Sequence, residues 1–216
     1  MKYRHLRVAH LVYGACLFLI STAAVGASTL DEGIKAYESG DYQTAIEKWQ
    51  TLIQQGSPDG LFYLGVMYDQ GKGLAQDKTK AFQLYSEAAQ KDHISAQYNL
   101  GMQYATGEGV TQDFSKAEFW WTKAAERGLM QAQFNLGNLY DEQGRVKEAH
   151  EHYKRALALN PQYADAHFNL ALLCERMSDP LRAVHHWKAY LKLDHSGQWA
   201  EIARRQLERL RDAVIR

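Results

Sequence analysis

The sequence predicts an all-α protein: a right-handed α-solenoid of about five antiparallel helix pairs, ended by a C-terminal capping helix. Three observations carry this expectation. A Leu-Gly pair recurs as Leu64-Gly65, Leu100-Gly101 and Leu136-Gly137, each step being 36 residues. An alanine followed four residues later by an aromatic recurs in phase with it, as Ala81 with Tyr85 and Ala117 with Trp121. The composition, with three prolines in 216 residues and 46% hydrophobic side chains, favours helices over strands. A period of this length marks a unit that buries its apolar face only by stacking on its neighbours.

The first 27 residues stand apart from the fold. Lys2, Arg4 and Arg7 make a basic start, residues 11–20 are apolar, and small residues follow up to Val25-Gly26-Ala27. This is the layout of a secretory signal peptide with a cut after Ala27. The rival reading is an uncleaved anchor. Residues 11–27 are diluted by Gly, Ser and Thr and fall short of the ~20 apolar residues a spanning helix needs. Cys16 follows Tyr13-Gly14-Ala15, which is not a Leu-led lipidation site. Cleavage leaves 22 of the 25 basic residues against 25 acidic ones, a mild net charge of −3. It also leaves Cys174 as the one thiol, so packing rather than an internal disulfide must hold the mature chain together. The expected location is periplasmic or secreted.

Residues 28–195 read as the repeat array. Gly33, Ala36, Tyr37, Ala45 and Trp49 form a first pair of the shorter type. In the next two pairs, Leu64, Gly65 and Tyr68, then Leu100, Gly101 and Tyr104, share a stripe on the first helix. The second helix answers with Ala81, Tyr85 and Ala88, then with Ala117, Trp121 and Ala124. Glycine has no Cβ, so the partner helix can come close there. Gly71-Lys72-Gly73 and Gly107-Glu108-Gly109 lie between the helices, where a reversal needs positive φ. No strand precedes either glycine pair, so a phosphate-binding loop is not indicated. Asp77 and Asp113 stand where a carboxylate caps the second helix.

The spacing then shortens to 34, from Leu136 to Leu170, Ala149 to Ala183 and Tyr153 to Trp187. Gly137 and Tyr140 keep the earlier phase, and Asn160-Pro161 ends a helix. Residues 196–216 leave the repeat. Trp199, Ile202, Ala203, Leu207 and Leu210 make an amphipathic helix with five arginines around its outer side, expected to cover the last pair, including Leu191 and Leu193.

The stretch "SAQYNLGMQYATGEGVTQDFSKAEFWWTKAAERGLMQAQFNLG" resembles the Sel-one-like (Sel1-like) repeat, as does "DGLFYLGVMYDQGKGLAQDKTKAFQLYSEAAQKD". "ADAHFNLALLCERMSDPLRAVHHWKAYLKLD" and "GIKAYESGDYQTAIEKW" are similar to the tetratricopeptide repeat, and residues 131–161 look like a hybrid. The resemblance implies a protein-binding scaffold that uses its concave surface. The cysteine pairs of some secreted Sel1-like proteins are missing from these repeats, so properties of that branch do not transfer.

Candidate chemistry is sparse. His150 and His152 lie two apart on one helix, and His185 and His186 are adjacent, spacings unsuited to shared metal ligation. These histidines, with His167, are expected to be solvated. Cys174 occupies the tyrosine phase of the stripe and is expected to be buried and inert. Trp49, Trp121 and Trp187 are in phase as core residues, whereas Trp120 sits about 100° round the helix from Trp121 and is expected to be partly exposed. The sequence offers no catalytic constellation, no cofactor loop and no metal site. With no basic excess there is no footprint for nucleic acid.

The expected function is therefore non-enzymatic: a scaffold or adaptor of the cell envelope that binds another protein or an extended peptide. The alternative is an architectural subunit tethered to the membrane by an uncleaved N-terminus. Asn99, Asn135 and Asn169 precede the core leucine once per repeat and are the first candidates for partner contact, either toward an extended peptide or as bonds to the neighbouring helix. Gln103, Asn138 and Asp141 follow in helical phase.

Overall fold

Helix starts are written into this chain as caps. In the computed structural model, which describes residues 26–214 and the side chains of residues 28–210, Asp41, Ser57, Asp77, Asp113 and Asp179 each accept a backbone N–H of the helix that follows. Each satisfies a donor that has no partner inside its own helix. Pro58 and Pro180 occupy first-turn positions, where a missing N–H costs nothing. The expected signal segment lies outside the described residues except for Gly26 and Ala27, which open the first helix.

The described residues form eleven helices and no strand, as five antiparallel pairs and a final helix. They fall into two compact units that divide between Ala96 and Gln97, in the first turn of the fifth helix. The first unit holds α1 (Gly26–Ser39), α2 (Tyr42–Gln54), α3 (Pro58–Gln70) and α4 (Lys78–Gln90), each packed on the next. Its core is Ala36, Ala45, Trp49, Leu52 and Met67, bordered by Leu30, Tyr37, Tyr63 and Leu74. Trp49 stacks on Tyr63 with ring centroids 5.1 Å apart.

The second unit holds most of α5 (Ile94–Thr106), then α6 (Phe114–Glu126), α7 (Met130–Glu142), α8 (Val146–Leu159), α9 (Ala164–Arg176), α10 (Pro180–Leu193) and α11 (Gly197–Val214). From α6 onward each helix packs on the next. This is the α-solenoid arrangement of stacked helix pairs. No described helix is long and apolar enough to cross a membrane.

One contact is repeated along the array. A Cβ on Gly65 would meet the Tyr85 ring at 2.8 Å, one on Gly101 the Trp121 ring at 2.5 Å, and one on Gly137 the Tyr153 ring at 2.6 Å. Each glycine lets the aromatic of the second helix press against the backbone of the first. In the fifth pair an alanine stands there, Ala171, fully buried beside Trp187. The two glycine loops also match bond for bond. Asp77 N–H donates to Tyr68 O and the Gln76 amide to Asp69 O; Asp113 N–H donates to Tyr104 O and the Gln112 amide to Ala105 O.

Leu100, Leu136, Gly65, Gly101, Gly137, Tyr140, Trp49, Trp121 and Trp187 are buried. Leu64, Tyr68 and Tyr104 are half-buried instead, the α3 core positions being filled by Leu61, Phe62 and Met67. The tyrosines differ by what covers them. Tyr140 lies under the Arg145 guanidinium, 4.1 Å from its centroid, whereas the flexible Lys116 amine stands 5.2 Å from the Tyr104 centroid.

The last helix seats Ala203 and Leu210 against Phe168, Trp187 and Tyr190, with Trp199, Ile202, Leu207 and Leu191 at the border. Leu193 is not covered: it remains 38% exposed with α11 in place, because it ends α10 beside the turn.

Candidate functional site

The first helices of successive pairs, α5, α7 and α9, bring the candidate asparagines to equivalent places. Asn99, Asn135 and Asn169 are all half-buried. The Asn135 amide donates back to α5, to Tyr98 Oη at 3.3 Å and Met102 Sδ at 3.1 Å. The Asn169 amide donates back to α7, to Asn138 Oδ1 at 2.8 Å, and across to Tyr153 Oη at 3.3 Å. Tyr153 in turn donates to Asn138 Oδ1 at 2.7 Å, so that oxygen is fully engaged.

These amides therefore join one repeat to the next. Their carbonyl oxygens take no part in the joint. Among the described residues, nothing donates to Oδ1 of Asn135 or Asn169. The repeats of Asn135 and Asn169 thus each hold one fixed acceptor, pinned in orientation by its own N–H bonds. Gln103 is buried, 4% exposed, and belongs to the interior of α5. Asn138 acts inside the ladder, and Asp141 pairs with Arg176 of α9. The spacing of 34 to 36 residues marks these positions but not the bonds that fix them.

A second group of polar side chains joins α6, α7 and α8. Tyr140 Oη donates to Glu118 Oε1 at 2.7 Å, and Arg145 closes the group by pairing with Glu148 at 3.0 Å and Glu118 at 3.8 Å. Burial first, and the Glu118 carboxylate second, push the Tyr140 hydroxyl up to about 12. His152 sits beside Tyr140, with Nδ1 2.8 Å from the Gln133 carbonyl oxygen. An oxygen of that kind only accepts, so Nδ1 carries a proton. Burial, the largest influence, holds this imidazole below its ordinary range.

His185 is exposed as expected, but His150, His152, His167 and His186 correct the expectation that they are solvated. His150 and His167 are buried, each 8% exposed, and His186 is half-buried. Outward-looking spacing on a single helix does not register the helix that packs over it. His167 Nδ1 and His186 Nδ1 face each other at 3.0 Å, and His167 Nε2 lies 3.0 Å from Pro161 O. Among the described residues, no three or more His, Cys, Asp or Glu side chains are grouped to hold a metal ion. Cys174 is buried and free, its thiol raised by burial and by Asp179. Trp120 is half-buried and packs edge-on against the exposed Phe119 at 5.0 Å.

Comparison with known proteins follows the same division of the array. Residues 58–93 and 94–129 each match the Sel1 repeat, and residues 137–178 match the TPR repeat. The chain is similar to a Sel1 repeat protein from Oxalobacter formigenes, 28% identical with a TM-score of 0.68, over 74% of this chain and 68% of that one. It also shares the fold of c5321, a protective antigen of uropathogenic Escherichia coli strains with an SLR fold. That match is 23% identical, with a TM-score of 0.69, over 85% of this chain and 45% of that one. A 59-residue segment is 37% identical to an exopolysaccharide production negative regulator of Rhizobium leguminosarum bv. viciae, covering 27% of this chain and 22% of the regulator. The chain thus spans about a fifth of that curated relative. With its repeats matched in sequence and its helix pairs in structure, the chain is a Sel1-like and tetratricopeptide repeat protein.

Proposed function

We propose that this protein is an exported, non-enzymatic adaptor of the cell envelope that holds a partner protein, as an extended peptide, on the first-helix face of α5, α7 and α9. The observation that carries this reading is the pair of oriented, unused amide oxygens on Asn135 and Asn169, one per repeat. Backbone N–H groups of an extended chain are the natural donors to such a row, and they supply affinity without reading side chains. Sel1 and TPR repeats are scaffolds for protein–protein interaction, which supports the coarse function. The segment shared with a negative regulator of exopolysaccharide production fits an adaptor that acts through another protein.

Photo-crosslinking tests the face. A crosslinking amino acid is placed at Gln131 or Asp165, one turn before Asn135 and Asn169, and compared with Glu151 or Lys188 on second helices. One discrete adduct in the envelope fraction from the first two positions, and none from the other two, is expected. Equal adducts from all four positions defeat the reading. Export rests on residues 1–27, and N-terminal sequencing of the protein from that fraction is expected to begin at Ser28. Retention of those residues favours the tethered architectural subunit.

A further inference from the structure

His167 of α9 and His186 of α10 meet nitrogen to nitrogen where the last helix pair closes. The Pro161 carbonyl oxygen near His167 Nε2 can only accept, so the neutral His167 ring carries its proton on Nε2. Its Nδ1 then presents a lone pair, and His186 must donate from Nδ1 across the 3.0 Å gap. The neutral pair has one consistent arrangement of protons. The ring centroids are 5.3 Å apart, close to the nitrogen separation plus two ring radii. The rings are therefore nearly in line, and their lone-pair directions oppose each other instead of converging on a metal ion.

Protons load this pair unequally. A first can go to His186 Nε2 and leave the central hydrogen bond intact. A second must go to His167 Nδ1, and two N–H groups then confront each other, so the rings have to part. The groups that act on His186 are all basic: His167 from α9, His150 from α8, and His185 and Arg182 from α10 itself. His167 likewise feels His185. Two carboxylates of α8 and the α10 cap are held by basic partners. Asp179 is held by Arg182 at 2.6 Å, and Glu151 by Lys154 at 3.2 Å and His150 at 3.5 Å. No carboxylate is among the groups that act most on His186 or His167.

We propose that the His167–His186 pair is an acid-operated latch that keeps α9 and α10 closed at neutral pH and lets the last helix pair open, with its covering helix, when both rings take up protons. Phe168, next to His167, transmits the opening. Its ring packs edge-on against Trp187 at 4.9 Å, Tyr190 at 5.1 Å and Trp199 at 5.4 Å, and so seats α11. Parting the histidines displaces the residue at the centre of that aromatic cluster and exposes an apolar face.

The sign follows from proton linkage. Burial, then the neighbouring His167, press the His186 imidazole down to about 4, and burial also lowers His167. In the open form both rings regain ordinary values near 6.5. The open form therefore binds more protons, and closure is complete above that value and weakens as pH falls toward 4. With two protons taken up, the opening constant rises by as much as about a hundredfold per pH unit.

Two measurements on the purified protein test this. Long-range 1H–15N NMR is expected to show His167 as the Nε2–H tautomer and His186 as the Nδ1–H tautomer at pH 7.5, with His186 titrating at least about one unit below an ordinary histidine. Binding of a hydrophobic dye is expected to rise steeply between pH 6 and 4. His186→Gln keeps a donor for His167 but cannot titrate. It should move that transition down by about one pH unit and halve its steepness, while His185→Gln, which removes only a neighbouring charge, keeps the steepness and shifts it far less. Three results overturn the latch: an ordinary His186 titration, a wild type with no transition above pH 4, or a His186→Gln transition identical to the wild type. If His186→Gln fails to fold, the wild-type tautomers and titration decide.

Discussion

Gly101 lies against the indole ring of Trp121 so closely that a Cβ would stand 2.5 Å from the ring. Trp121 cannot easily retreat, because its Nε1 donates to Tyr98 O at 3.2 Å. Gly101→Ala is therefore expected to destabilise the protein by about 1–3 kcal/mol, despite alanine's better helix propensity. Urea denaturation measures it. The double variant Gly101→Ala, Trp121→Ala should lose less than the sum of the singles, since removing the ring frees the space the methyl needs. Strict additivity would show that the contact is incidental.

The neighbouring tryptophans should behave differently. Trp121 is 5% exposed in the α5–α6 core, while Trp120 is half-buried against Phe119. Trp121→Ala should cost ~3–5 kcal/mol, a large share of a typical ~5–15 kcal/mol total. Trp120→Ala should cost much less. Equal losses of melting temperature would refute this assignment of faces.

Much of this architecture is legible in the chain. The Leu-Gly step, the Ala-aromatic step and the paired glycine loops each report a local contact that one repeat shares with the next, so phase alone locates Gly65, Gly101 and Gly137 against their rings. Asp77 and Asp113 are equally readable because a cap acts within three residues of itself. The histidines are not. His167 and His186 are 19 residues apart on different helices, and their contact depends on how α9 and α10 are rotated. The asparagine ladder is intermediate. Its period is visible, but whether an amide turns to the next helix or to solvent is settled by the Tyr98 hydroxyl, Met102 and Asn138, whose positions recur while their acceptor groups do not.

Removing residues 197–216 should convert the protein into an aggregating species. Ala203 and Leu210 would no longer cover Trp187, Tyr190 and Phe168. Glu175 ties this end together: one oxygen accepts from Trp187 Nε1 at 2.7 Å and the other pairs with Arg209 of α11. Size-exclusion chromatography with light scattering is expected to show large assemblies. A truncated chain that stays monomeric with unchanged helicity per residue would show that α11 is not a cap.

The asparagine ladder separates structure from binding because each amide divides the two roles between its atoms. The N–H groups of Asn135 and Asn169 tie adjacent helices, and the oxygens are left over. Changing Asn99, Asn135 and Asn169 together to alanine removes both, and stability should fall by about 0.5–1.5 kcal/mol per lost bond. Tyr98→Phe removes an internal acceptor while leaving the Asn135 oxygen in place. If the face holds an extended peptide, the triple variant loses the crosslinked adduct at Gln131 at a temperature where it remains folded. Tyr98→Phe, although less stable than the wild type, keeps that adduct. If both variants keep it in proportion to their folded fraction, the asparagines serve only to join the repeats, and the partner is held elsewhere.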